Sequence, residues 1–191
     1  MEATLDWISG ISWMLVYVIA IYLGIQRKTY CIPGICICLN FSWEMLAVLV
    51  RVIQHSPLNS GFVSQLLWLI WDVGVLYTWI RFSDRYTWRK MILFSGMAII
   101  MVLTTLGLSL WEVTAFTINL IMSVTFLFQL DKQVYPSVLI ALLKCVGTLA
   151  ATVLNGVVYR NYLILAIGGL CLFADLCYLY EIWKCKATAN E

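Results

Sequence analysis

The sequence predicts an all-α membrane protein, a bundle of seven transmembrane helices forming a single domain over residues 1–191. Three observations predict it. The chain has only 191 residues, 63% of them are hydrophobic, and 12% are charged. An ordinary soluble domain carries about 25% charged residues. A soluble globule of this length would lack the polar groups to cover its surface, and disorder requires low hydrophobicity. One span takes about 20 residues, so seven take roughly 140 and leave only short loops and tails. Whatever the protein does, it does inside the bilayer or at its edge.

The spans can be placed in order. The N-terminus, Met-Glu-Ala-Thr-Leu-Asp, lacks the basic region of a signal peptide, so the apolar run 7–25 is expected to stay as the first helix. Gln26-Arg27-Lys28 ends it. The second helix is read at 34–53, between Pro33 and His55-Ser56-Pro57, and the third at 62–81, before Ser83-Asp84-Arg85. Helices at 91–109 and 112–130 follow, separated by little more than Ser109 and Glu112 around Trp111. Asp131-Lys132-Gln133 precedes a helix at 136–156, and Arg160-Asn161 precedes the last, at 162–183. Pro33, Pro57 and Pro136 all fall at or near helix starts, where a missing N–H does no harm.

Lys and Arg set the orientation. Arg27, Lys28, Arg81, Arg85, Arg89, Lys90, Lys132, Lys184 and Lys186 lie after the first, third and fifth helices or in the tail. Only Arg51 and Arg160 lie on the other side, and Lys144 lies within a span. The bias predicts an outer or lumenal N-terminus and a cytosolic C-terminus. The protein is expected to be integral and multi-pass, in the endoplasmic reticulum of a fungus or the plasma membrane of a bacterium. Five of the seven cysteines, Cys36, Cys38, Cys145, Cys171 and Cys177, fall in apolar runs, where a thiol is a small hydrophobe. Cys36-Ile37-Cys38 is too tight for a zinc knuckle and His55 is the single histidine, so no metal and no other cofactor is expected. No nucleic-acid partner is expected either.

Four ionisable residues stand inside the spans: Glu44, Asp72, Lys144 and Asp175. Each costs roughly 2.5–3.5 kcal/mol on insertion scales. At a rise of about 1.5 Å per residue they lie roughly 12–15 Å from the cytosolic helix ends, at one level near the midplane. A polar knot that fixes packing would account for Lys144 and one acid, but one ammonium neutralises only one of three carboxyls. A carboxyl in a dry site can remain a neutral acid near pH 7, and close acids share protons unequally. That is the equipment of a general acid. Asn40 lies one turn before Glu44 on the same face. Trp43 adjoins Glu44, Trp71 adjoins Asp72, and Trp68 and Tyr178 lie one turn from Asp72 and Asp175. Trp43, Trp68 and Trp71 sit too deep for an interfacial belt. Helix packing accounts for any one of them, but aromatic faces also attract cations. Together with buried acids they suit the making and steering of a carbocation. Glu112 and Asn119 share a face of the fifth helix, with Glu112 at the outer rim within range of Arg51.

These residues resemble a known family. Asn40-Phe41-Ser42-Trp43-Glu44 is similar to the Asn-x-Ser/Ala-Trp-Glu signature of small integral-membrane terpene cyclases. Those enzymes act in fungal meroterpenoid and indole-diterpene biosynthesis and have bacterial relatives. Trp68-Leu69-Ile70-Trp71-Asp72 resembles the family's Trp-rich segment, and Asp175-Leu176-Cys177-Tyr178 its C-terminal acidic motif. The resemblance implies seven helices and proton-initiated cyclisation of a farnesyl or geranylgeranyl chain, usually one with a terminal epoxide. It points to Glu44 and Asp175 as the candidate proton donors.

The resulting expectation is an isomerase- or lyase-type terpene cyclase. Glu44 or Asp175 protonates an epoxide or alkene, and Asp72 helps to tune and reload the proton. Asn40, Trp43, Trp68, Trp71, Tyr178 and Lys144 line or support the site. The expected partners are a hydrophobic prenylated substrate, the lipid bilayer and other enzymes of a biosynthetic pathway. No aspartate-rich DDxxD motif is present, which disfavours metal-assisted diphosphate ionisation. The alternative is a small proton-coupled transporter using the same acids. Such carriers commonly show helices broken at matching points of two repeats, and here only Gly168-Gly169 offers a break. On sequence grounds Glu44→Gln and Asp175→Asn should insert but lose turnover, and Trp183→Phe should retain it. A product assay on expressing membranes checks all three.

Overall fold

The computed structural model describes residues 2–58, 60–83, 111–128 and 134–188, without the side chains of 60, 61 and 186–188. Within them six helices form: α1 Glu2–Arg27, α2 Gly34–Ile53, α3 Ser60–Phe82, α4 Trp111–Leu127, α5 Val138–Thr152 and α6 Tyr162–Thr188. The span expected at 91–109 lies outside the described residues. α5 runs on through a π-helical turn, Val153–Val158, closed by the Tyr159 N–H on the Leu154 carbonyl at 3.0 Å. Five of these segments are long and apolar enough to cross a membrane, and α4, with 17 residues, is a shorter apolar helix.

The expected 34–53 coincides with α2. The start at 162 coincides with that of α6, and the remaining described boundaries differ by one to five residues, for physical reasons. α1 and α6 extend past the expected 7–25 and 162–183, because hydropathy marks the apolar part of a helix and not its hydrogen-bonded length. α5 starts two residues after the expected 136. Ser137 is extended there, and its hydroxyl caps the Ile140 N–H at 3.4 Å, as N-cap serines do. α4 ends at Leu127 rather than 130. Lys28, His55 and Arg160, in the turns after α1, α2 and the π-helical turn, adopt left-handed φ angles of 54°, 50° and 56°. Glycine more often holds such helix-ending positions.

α1 packs between α5 and α3, α2 packs on α3, and α6 packs on both α4 and α5. The core joins Val16, Tyr17 and Ala20 of α1 to Cys36 and Ile37 of α2 and Val75 and Trp79 of α3. The loop between α1 and α2 is part of that core. Tyr30, Cys31 and Ile32 are buried, and the Tyr30 carbonyl accepts the Tyr135 N–H at 2.8 Å. The outer surface is apolar: Ile70, Leu170, Phe173 and Trp183 are each more than half exposed. Glu44, Asp72, Lys144 and Asp175 are each no more than 6% exposed. Polar groups turned inward and apolar groups outward is the arrangement a bilayer requires.

Gly34 opens α2 against the indole of Trp79, and a methyl on its Cα would collide with the ring. Gly34→Ala should therefore destabilise the α2–α3 contact by about 1–3 kcal/mol. Thermal unfolding in detergent checks this. Gly169→Ala, where an added methyl meets nothing within 4 Å, serves as the control.

Candidate active site

Asn40 ties three helices together. Its Nδ2 donates to Tyr17 Oη of α1 at 2.8 Å and to Asp72 Oδ2 of α3 at 2.9 Å. Both bonds use the one amide nitrogen, so the carboxamide is held between them. Glu44 sits one turn further along α2, within electrostatic reach of Asp72 and Tyr17. Its Oε2 is buried without a hydrogen-bond partner among the described residues.

Tyr17, Asn40 and Glu44 border a cavity of about 200 Å³. α1 contributes Ser9, Trp13 and Tyr17, α2 contributes Asn40, Trp43 and Glu44, and α3 contributes Trp68. Ala115, Phe116 and Asn119 of α4 and Ala151 of α5 complete the wall. Aromatic side chains thus share the cavity lining with one carboxyl. Trp43 is itself backed by Trp111, with ring centroids 5.0 Å apart. Trp13 has room because residue 147 is glycine: a Cβ there would lie 3.0 Å from the indole.

A second polar cluster lies behind the Trp13 wall. Lys144 Nζ of α5 meets both oxygens of Asp175 of α6, at 2.7 and 2.8 Å, and donates to Ser123 Oγ of α4 at 2.6 Å. Thr148 Oγ1 donates to Asp175 Oδ2 at 3.3 Å and accepts from Asn119 Nδ2 at 3.1 Å. The ammonium also lies 5.8 Å from the centroid of the Trp13 ring. Asn119 therefore belongs to both clusters.

The structure accordingly divides the residues singled out in the sequence. Glu44, Asn40, Trp43 and Trp68 border the cavity. Asp72 stands behind them on Asn40. Asp175 and Lys144 pair with each other and are not in the cavity lining. Trp71 is half-buried against the main core, and Tyr178 is buried with its ring 5.1 Å from that of Phe126. Arg51 lies over the Phe62 ring, 6.0 Å from its centroid, and Glu112 is exposed. Among the described residues no three His, Cys, Asp or Glu side chains converge to hold a metal.

Sequence reasoning passed over the α1 wall, Ser9, Trp13 and Tyr17. The signal was present, since positions four apart share a helix face and these three make a polar and aromatic stripe in an apolar helix. It also passed over Ser123 and Thr148. Single hydroxyls in apolar helices commonly bond to their own backbone, and Ser123 does so to the Asn119 carbonyl at 2.9 Å.

The Pyr4-like transmembrane terpene cyclase family matches residues 1–188. The chain belongs to that family. Terpene cyclase nodB of Hypoxylon pulicicidum is 30% identical over 109 residues, covering 53% of this chain and 44% of nodB. Terpene cyclase macJ of Penicillium terrestre is 29% identical over 127 residues, 66% of this chain and 45% of macJ. The Pyr4-family terpene cyclase mfmH of Annulohypoxylon moriforme is 32% identical over 81 residues, 42% of this chain and 31% of mfmH. The chain thus spans less than half the length of these relatives. Apolar helices and membership of a transmembrane family together make it an integral membrane protein.

The ion pair changes what Asp175→Asn should do in this Pyr4-like protein. Removing one partner of a buried pair strands the other charge, at a cost of about 3–5 kcal/mol. Asp175→Asn should therefore lower the thermal midpoint in detergent strongly, whereas the double variant Lys144→Met with Asp175→Asn should recover most of the loss. Equal midpoints for the single and double variants would contradict the pairing.

Proposed function

We propose that the protein is a membrane-embedded terpene cyclase. It protonates the terminal epoxide or alkene of a farnesyl or geranylgeranyl chain on a small molecule and cyclises it through carbocations. The observation that carries this reading is Glu44, which lines a cavity together with Trp13, Trp43 and Trp68 and whose buried Oε2 has no hydrogen-bond partner among the described residues. Membership of the Pyr4-like family supports it.

In this reading Glu44 gives the proton. Among the described residues its Oε2 carries no competing hydrogen bond to break first. Asp72, fixed by Asn40, is the companion acid through which the proton is reloaded. The indoles face the cation, each worth about 0.5–2 kcal/mol and more where water is excluded. They also hold the chain folded, so the next alkene lies in reach when the cation forms. Loss of a proton from the last cation ends the reaction, and substrate and product are isomers. A proton, not a metal ion, starts it. Asp175 has both oxygens on Lys144, so its part is to support the wall. The reading also places the chain as one seven-span domain with an outer or lumenal N-terminus, alongside the enzymes that make and consume its prenylated substrate.

Expressing membranes incubated with farnesyl and geranylgeranyl aromatics, epoxidised and not, should yield an isomer of unchanged mass and new retention. Glu44→Gln should abolish it, a fall of at least about 100-fold for loss of a general acid. Asp72→Asn should reduce it less. Turnover by Glu44→Gln at the wild-type rate would sink the assignment.

A further inference from the structure

Two oxygens of the cavity-lining residues are buried without a hydrogen-bond partner among the described residues: Glu44 Oε2 and Asn119 Oδ1. They come from different helices and differ in kind. A carboxyl can give or take a proton, whereas a carboxamide oxygen only accepts. A buried polar group left unpaired costs about as much as a lost hydrogen bond. Two of them on residues lining one cavity point to an occupant that satisfies both.

The orientation of Asn119 follows from the chain of bonds behind it. Asp175, paired with Lys144, accepts only, so the Thr148 hydroxyl must donate to it. The Thr148 oxygen then takes an N–H from Asn119 at 3.1 Å. With the amide nitrogen committed to Thr148, the amide oxygen is the atom left over. The Lys144–Asp175 pair, which the proton transfer itself does not use, thereby sets which end of Asn119 is free.

We propose that Asn119 is a specificity-determining residue of the cyclisation, its carboxamide oxygen accepting the hydroxyl formed when Glu44 protonates an epoxide. Thr148, Asp175 and Lys144 are the positioning residues that aim it. The inference rests on the cyclase reading above and names the substrate group. The step balances. The Glu44 proton passes to the epoxide oxygen, the C–O bond to the more substituted carbon breaks, and its electron pair stays on oxygen. The next alkene takes the carbocation. The last cation gives up a proton, which restores the Glu44 carboxyl directly or by way of Asp72. An epoxide oxygen has no hydrogen to offer Asn119, but the hydroxyl that replaces it does. An interaction that appears only as the ring opens speeds the reaction without tightening substrate binding. A proton delivered to an alkene ends on carbon and leaves Asn119 Oδ1 unpaired throughout. The site is therefore matched to epoxides over alkenes.

The test uses the full chain in detergent and two probes: a bicyclic sesquiterpene alcohol and the hydrocarbon of the same skeleton. Binding is read from quenching of the indole fluorescence. Wild type should bind the alcohol about tenfold more tightly or better, and Asn119→Leu should bring the ratio near one. Thr148→Val should shift the ratio the same way and Thr148→Ser should restore it, a rescue that a packing role would not show. With an epoxidised farnesyl aromatic, Asn119→Leu should lower kcat about tenfold or more with KM little changed. Equal affinities for the two probes in wild type, or an unchanged ratio in Asn119→Leu, overturn the proposal and leave the cyclase reading standing. If neither probe binds while membranes still cyclise the epoxide, the proposal falls and the activity stands. If no substrate is turned over but the alcohol preference is present and lost in Asn119→Leu, the acceptor role stands and the cyclase reading fails.

Discussion

A lone ammonium or carboxylate inside a hydrocarbon layer is too expensive to keep, and Lys144 and Asp175 meet that constraint by finding each other. The bond pattern is complete on both sides. The carboxylate takes the ammonium on both oxygens and a hydroxyl on one, and the ammonium takes Ser123 as well. Residues from α4, α5 and α6 are thereby drawn to one point. Hydrophobic association gives helices in lipid no driving force toward one another, so polar contacts and close packing must supply it. The pair stands behind Trp13 and so also backs one wall of the cavity.

The other polar centre follows the same rule with a different outcome. Asn40 satisfies Tyr17 and Asp72 together and so pins α1 and α3 to α2. Glu44, one turn away, is left with an oxygen unsatisfied among the described residues. The two clusters thus separate polar groups whose bonds are filled within the fold from a carboxyl with one oxygen unbonded among the described residues. A fully bonded carboxylate is a poor acid for a substrate to reach. A buried carboxyl with an unbonded oxygen beside a cavity is a good one. The aromatic residues divide similarly. Trp13, Trp43 and Trp68 face the cavity, while Tyr178 packs against Phe126.

Span placement was readable from the chain because the hydrocarbon layer requires an apolar run of about 20 residues. The apolar run at 34–53 coincides with α2 because Pro33 begins it and His55 ends it. The start of α5 was not readable from hydropathy, since a serine cap depends on the local turn and not on apolar content. The π-helical turn at Val153–Val158 was missed for the same kind of reason: a one-residue change in the hydrogen-bond ladder leaves no mark on composition. The family signature at Asn40 to Glu44 was legible because its members lie within five consecutive residues of one helix. The α1 wall was not singled out, because its contribution depends on which neighbour α1 turns toward.

By itself the sequence determined the membrane class, the approximate placement of the described spans, the presence of four charges that a bilayer penalises, and the signature that ties the chain to its family. The helix rise converts residue number into an expected depth along each span. The sequence did not determine the partners of those charges. Depth is set along each helix, but partnership depends on the rotation of each helix and on which helices are neighbours. Packing decides both, through contacts such as Gly147 against Trp13 and Gly34 against Trp79. Only the tertiary structure could join Lys144 to Asp175, put Asp72 behind Asn40, and leave Glu44 in the lining of the cavity.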